Sequence, residues 1–159
     1  MSGERLDRAT FLATLPRRRI GAGALFRDEA GRVLLVEPTY RPDWLLPGGT
    51  VEAHEAPAEA CRREVLEELG LDRPIGRLLV INSNRPEPPT DPYGSLQFGY
   101  DGGVLTEQEL AAIRLPADEL RSYALVEVDR IGDYLGPRSR RLVTAGLAAV
   151  ADGTLHELG

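Results

Sequence analysis

The chain has 159 residues, 42% of them hydrophobic and 28% charged, with net charge −6 and an isoelectric point near 5.0; this suits one globular domain with a full core and disfavours general nucleic-acid binding. All nineteen basic residues are Arg, which excludes a Schiff-base or phosphate-loop lysine and leaves phosphate contacts to arginine. A single Cys excludes an intrachain disulfide, and the chain has neither an apolar run of about 18 residues nor a signal-like start, so the expected setting is the cytoplasm, away from membranes.

In chain order, residues 4–15 carry a short helical pattern through Leu6, Phe11, Leu12 and Leu15, stopped by Pro16. Arg17, Arg18 and Arg19 lead into the first strand as a solvated entry, where an arginine such as Arg19 could also receive a substrate phosphate. Residues 20–27 and 32–37 read as a strand pair around the turn cluster at 28–31. Trp44, Leu45 and Leu46 form a short strand that delivers the chain to Pro47, Gly48 and Gly49, where a tight backbone is required. Pro57 suits the first turn of a helix that Gly70 ends as a left-handed cap.

Residues 75–83, 95–101 and 124–128 are further strands, with a weak helix over 128–134 and a clearer one over 137–151. Strands and helices interleave without a dinucleotide-binding glycine pattern or an internal repeat, so a mixed sheet between helices is expected. The one long irregular stretch is 84–94, in which four of eleven residues are Pro. Prolines stiffen such a loop and keep it out of a sheet, and loops of this length are often functional.

The most informative stretch is 49–71. On its helix Glu64, Glu67 and Glu68 occupy one sector, while Ala58, Cys61, Val65 and Leu69 form an adjoining apolar stripe toward the core. Like charges at i, i+4 cost an isolated helix roughly 0.2–0.5 kcal/mol, so a cation or an Arg should lie against the acidic sector. Carboxylate oxygens are hard ligands, which favours Mg²⁺ or Mn²⁺ over structural zinc. Cys61 reads as a small buried hydrophobe.

Gly49, then Glu55, then the run from Arg63 through Glu64, Val65, Glu67, Glu68, Leu69 and Gly70 to Leu71 resembles the signature of the Nudix hydrolase superfamily, with every fixed position matched over about 23 residues. The resemblance implies an α/β/α sandwich with a mixed central sheet, one domain over 1–159 with residues 1–16 as a helical extension. It implies metal binding by Glu64, Glu67 and Glu68, orientation of these carboxylates by Arg63, a Gly49 loop that approaches metal and substrate, and support of the loop and helix ends by Gly48, Glu55 and Gly70. Glu52 is a further candidate for a second metal. His54 departs from the commonest form of the signature and reads as a partly exposed loop residue.

The implied chemistry is Mg²⁺-dependent attack of water on the pyrophosphate of a small nucleotide-type substrate, a nucleoside diphosphate joined to another group. Glu67 or Glu68 is the first choice for general base; among outside candidates, Glu107, Glu109, Asp118 and Glu119, the strand that follows Glu119 favours it. Arg85 and Tyr93 of the proline-rich loop are candidate phosphate and base contacts. Tyr40, Trp44, Phe98 and Tyr100 are other aromatic candidates, Trp44 and Phe98 fitting the core better. The resemblance also allows a homodimer. A non-catalytic nucleotide-binding module is the rival reading, but it predicts erosion of the carboxylates, which are intact. The box does not choose the substrate.

Overall fold

The computed structural model describes residues 6–159, so the first two positions of the expected N-terminal helix, 4 and 5, lie outside the described residues. The helix itself, α1 (Arg8–Thr14), starts at Asp7, whose carboxylate accepts from the Ala9 and Thr10 amides. Among the described residues seven strands build one mixed sheet: β1 (Arg19–Arg27), β2 (Val33–Pro38), β3 (Gly48–Thr50), β4 (Leu78–Asn84), β5 (Ser95–Val104), β6 (Leu120–Val126) and β7 (His156–Leu158). The order is β6-β2-β1-β5-β4-β7, with β3 pairing to β1; β1 runs parallel to β5 and β4 parallel to β7.

Two helices cover the two faces. α2 (Pro57–Leu69) packs Ala60, Cys61, Val65 and Leu69 against Ala22, Ala24 and Phe26 of β1. α4 (Pro137–Asp152) covers the opposite face, where Val143 and Ala149 meet Leu25, Leu35, Leu79 and Val80. The alternation along β1 therefore feeds both layers, giving the α/β/α sandwich expected. Burying a Val or Leu side chain contributes about 1.5–3 kcal/mol, so Val65 and Leu69 anchor α2 firmly. No described helix is long and apolar enough to cross a membrane.

Three local expectations change. Ala58 is exposed, and Ala60 takes its place in the buried stripe. The strand expected at Trp44 to Leu46 is a single bridge between Leu45 and Val36, with N···O distances of 2.9 and 3.0 Å. The pairing strand is instead the glycine segment, through Gly23 opposite Gly48 and Ala22 opposite Gly49. The reason is contact distance: a Cβ on Gly48, whose φ is 152°, would stand 2.3 Å from the Ala22 carbonyl oxygen. The weak helix after β6 is a 3₁₀ helix over Val128–Asp133, and a short α3 (Glu107–Ala112), capped by Thr106, was not expected.

Candidate active site

α2 delivers the acidic sector because its ends are fixed. Pro57 occupies the first turn, Glu59 Oε2 accepts from the Ala56 amide at 2.7 Å, and Gly70 turns left-handed at φ 70° while its N–H donates to Leu66.

Arg63 is the hub. Its guanidinium donates to both oxygens of Glu55, at 2.6 and 3.0 Å, to Glu64 Oε1 at 2.8 Å, to Glu67 Oε2 at 3.3 Å and to the Thr50 carbonyl at 3.1 Å. One planar fork thus ties the loop after β3 to Glu64 and Glu67 on α2. The Arg63 hydrogen bonds, aided by the Glu52 amide, draw the Glu55 carboxyl down to about 2. The Arg63 charge is correspondingly held well above its ordinary range, chiefly by Glu55.

Glu68 lies deeper, at 8% exposure, and accepts from the Gly48 amide at 2.8 Å. Burial, reinforced by Glu64, Glu119 and Glu67, pushes its carboxyl up to about 8 against the pull of that amide. Glu64 is also raised, by burial first and by Glu67 and Glu119, although Arg63 opposes the shift. Gly49 makes room for it: a Cβ there would sit 2.4 Å from Glu64 Oε1. Glu119 is exposed at the entry to β6, where its carbonyl accepts from Thr39, and its charge reaches both raised glutamates. Of the four outside acids, it is the one whose field falls on the acidic sector, whereas Glu109 is bound to Arg73 and Thr106.

Whether these residues fit a divalent cation is a matter of donors and position. The donors are hard oxygens, and among the described residues the buried Glu68 has an amide partner but no cationic one in contact. Among the described residues no three His, Cys, Asp or Glu groups are already gathered around one point. Arg63 engages Glu64 and Glu67, and Gly48 engages Glu68. The donor set fits a hard cation, and side-chain rotation of the exposed Glu67 away from its long Arg63 contact is the adjustment it calls for. Glu52 and His54 are exposed on the loop before α2.

Next to this acidic wall is a cavity of about 460 Å³ that includes Gly48, Gly49, Arg19, Arg138, Gln97 and Asn82, a size suited to a small ligand. A sequence profile of the family described as NUDIX domain matches residues 17–145, a span that contains the acidic helix, the glycine loop and most of the cavity wall. The chain belongs to the Nudix hydrolase superfamily. Enzymes of this superfamily generally use a divalent metal.

Over 62 residues the chain is 48% identical to diphosphoinositol polyphosphate phosphohydrolase 2 of Rattus norvegicus, covering 38% of this chain and 35% of that protein. Over 72 residues it is 40% identical to the putative ADP-ribose pyrophosphatase YjhB of Bacillus subtilis, covering 45% of this chain and 34% of that protein. The Nudix chain thus spans about a third of the length of these relatives. The crystal structure of a MutT protein from Methanosarcina mazei Go1 superposes with a TM-score of 0.70 at 25% identity, covering 85% of this chain and 96% of that one.

Of the expected substrate contacts, Arg19 lines the Nudix cavity, whereas Tyr93 lines a separate groove with Leu15 and Pro92, and Arg85 is exposed, its carbonyl accepting from Arg138. The proline-rich loop is held down by Asp91, which takes Arg19 at 2.7 Å, Arg138 at 3.1 Å and the Gly94 amide at 3.0 Å. Burial works against ionisation of Asp91, but these donors keep its carboxyl below the ordinary range. Among the cavity residues missed from sequence are Arg41, Asn82, Asn84, Ser95, Gln97 and Arg138. The two asparagines, spaced i, i+2 after the apolar run Leu78 to Ile81 of β4, were the signal available.

Proposed function

We propose that the chain is a divalent-metal-dependent hydrolase of pyrophosphate bonds that cleaves a nucleoside diphosphate joined to another group, acting on small phosphorylated molecules in the cytoplasm. The observation that carries the reading is the buried Glu68 at the glycine wall of the cavity, beside Glu64 and Glu67 on one Arg63 hub. Glu64, Glu67 and Glu68 would hold Mg²⁺ or Mn²⁺, with Glu52, exposed on the loop before α2, as the candidate for a second ion. When bound, the cation would neutralise charge on the pyrophosphate and acidify a water molecule.

The chain's own residues supply position and a proton acceptor. Arg63 fixes Glu64 and Glu55 so that the acidic wall does not collapse under its own repulsion. Gly48 and Gly49 bring backbone close to the reacting phosphate. The first choice to accept the proton is Glu67 or Glu68 of α2, and Glu119, exposed at the entry to β6, is the alternative acceptor. No Ser, Cys or Lys nucleophile is required, because such displacement rests on positioning and charge.

The test is product release by the full chain from a panel of nucleoside diphosphate derivatives, ADP-ribose among them, with Mg²⁺ or Mn²⁺. Release is expected to fall at least about a hundredfold in Glu67→Gln. If no panel member is cleaved by the wild type, the chain is a binding module and the hydrolase reading fails. In the same assay Glu119→Gln is expected to lower kcat by about a hundredfold if it takes the proton. Unchanged turnover assigns the proton to α2.

A further inference from the structure

The end of the cavity away from the carboxylates is lined by amides and hydroxyls. Asn82 and Asn84 on β4 are 1% and 6% exposed, and Ser95 on β5 is 2% exposed. They form a chain of fixed direction: Asn82 Nδ2 donates to Asn84 Oδ1 at 3.3 Å, and Asn84 Nδ2 donates to Ser95 Oγ at 3.1 Å. A second acceptor, the Arg138 carbonyl, lies 3.5 Å from Asn82 Nδ2. Two acceptors on that side leave the nitrogen nowhere else to point, so the orientation of the Asn82 amide is set by its surroundings.

The consequence is an orphan. Asn82 Oδ1 is buried and has no hydrogen-bond partner among the described residues. Such groups are uncommon in native folds and call for an explanation. Ser95 Oγ accepts from Asn84, which leaves its own proton free to donate. The residues lining this end of the cavity therefore hold one unpaired acceptor, buried at Asn82, and one hydroxyl with a proton to donate. Gly21 leaves room for the Gln97 amide, which also lines the cavity: a Cβ on Gly21 would collide with Gln97 Oε1.

Charge at the mouth points the same way. Three arginines line the cavity, and each already has an acidic partner: Arg19 binds Asp91, Arg138 binds Glu87 and Asp91, and Arg41 binds Asp43. A ligand moiety crowded with phosphates would find none of these three arginines without an acidic partner, in a chain of net charge −6. An uncharged moiety with O–H or N–H donors would find its complement.

We infer that Asn82, with Ser95, is the specificity-determining pair of this pocket: it accepts a hydrogen bond from an uncharged sugar or nucleobase of the substrate, and the pocket rejects a polyphosphorylated ring. The inference rests on the hydrolase reading for its word substrate, but the pocket can be tested without hydrolysis. AMP, ribose 5-phosphate and inositol hexakisphosphate contain no pyrophosphate bond, so binding of each to the full chain can be followed by calorimetry.

At least one of AMP and ribose 5-phosphate is expected to bind saturably. That binding should weaken at least about tenfold in Asn82→Leu and several-fold in Ser95→Ala, with far-UV circular dichroism unchanged. Inositol hexakisphosphate is expected to bind no more tightly than inorganic phosphate. Loss with AMP alone assigns the pocket to the base; loss with ribose 5-phosphate as well assigns it to the sugar. Tighter binding of inositol hexakisphosphate, no binding of either neutral-ring probe, or wild-type affinity in a folded Ser95→Ala chain would overturn the inference. If the pocket holds but no panel substrate is cleaved, only the hydrolase reading fails.

Discussion

Arg63→Ala is expected to abolish nearly all turnover and to lower the melting temperature by about 3–10 °C. The substitution removes both hydrogen bonds to Glu55 and the contacts to Glu64, Glu67 and the Thr50 carbonyl. Hydrogen bonds to charged groups contribute about 1.5–3 kcal/mol. With 28% of the Arg63 side chain exposed, solvent screening keeps the total below the roughly 3–5 kcal/mol of a fully buried broken pair. For a domain of this size each kcal/mol shifts the midpoint by about 2–4 °C. Activity should suffer more, at least about a hundredfold in kcat, because the acidic wall loses its brace and the glutamates repel one another. Arg63→Lys separates charge from geometry: a lysine cannot reproduce the fork, so it should restore stability better than turnover. Thermal melts and steady-state kinetics on the same preparations check both, and wild-type kcat in Arg63→Ala would refute the hub.

Glu68→Gln carries the second large effect, with a signature in pH. In the metal-free protein the Glu68 carboxyl is raised from 4.5 to about 8, by burial first and then by neighbouring acids. A folded-state value above the unfolded one means that the native state binds the proton more tightly. The stability associated with Glu68 is therefore fully present below about pH 4.5 and is lost as pH rises to about 8. Glutamine keeps the volume and can still accept from the Gly48 amide, while the charge is gone. In chelator, denaturant melts of Glu68→Gln should show a flatter stability profile across that window and greater stability than the wild type near pH 8. Turnover should fall at least about a hundredfold. A pH profile parallel to that of the wild type would show that Glu68 is not the raised group.

The acidic helix was legible because its signals are local. Pro57 and Gly70 mark its ends in the sequence, and Arg63 sits four residues before Glu67, a spacing at which helical side chains meet. The cavity was not legible in the same way. Asn82 and Arg138 lie 56 residues apart in the chain, and only the placement of α4 over β4 brings them together. Gln97 reaches the cavity because β5 runs parallel to β1, a pairing that periodicity does not specify. Pro47, Gly48 and Gly49 read as a tight, conformationally permissive loop, yet Gly48 and Gly49 pair with β1, since only glycine lets Gly48 approach Ala22 so closely. β7 at His156 was missed for the same reason as the cavity, since its three residues become a strand only beside β4. Tyr93 and Arg85 were favoured for their chemistry in a proline-rich loop, but Asp91 fixes that loop with Tyr93 in a separate groove and Arg85 on the surface.

Cys61 is the only thiol in the chain, fully buried on α2 beneath the carboxylates, and burial pushes it up to about 12. It therefore reacts with a thiol reagent only when the helix lifts from the sheet, and the labelling rate becomes a clock for that opening. No engineered cysteine is needed to read it. A divalent cation that ties the glutamates of α2 to the glycine wall should slow the clock in proportion to its occupancy, whereas a cation that leaves the rate unchanged is not held by this helix. The same buried sulfur that anchors the site thus gives a measure of ligand binding that is independent of catalysis.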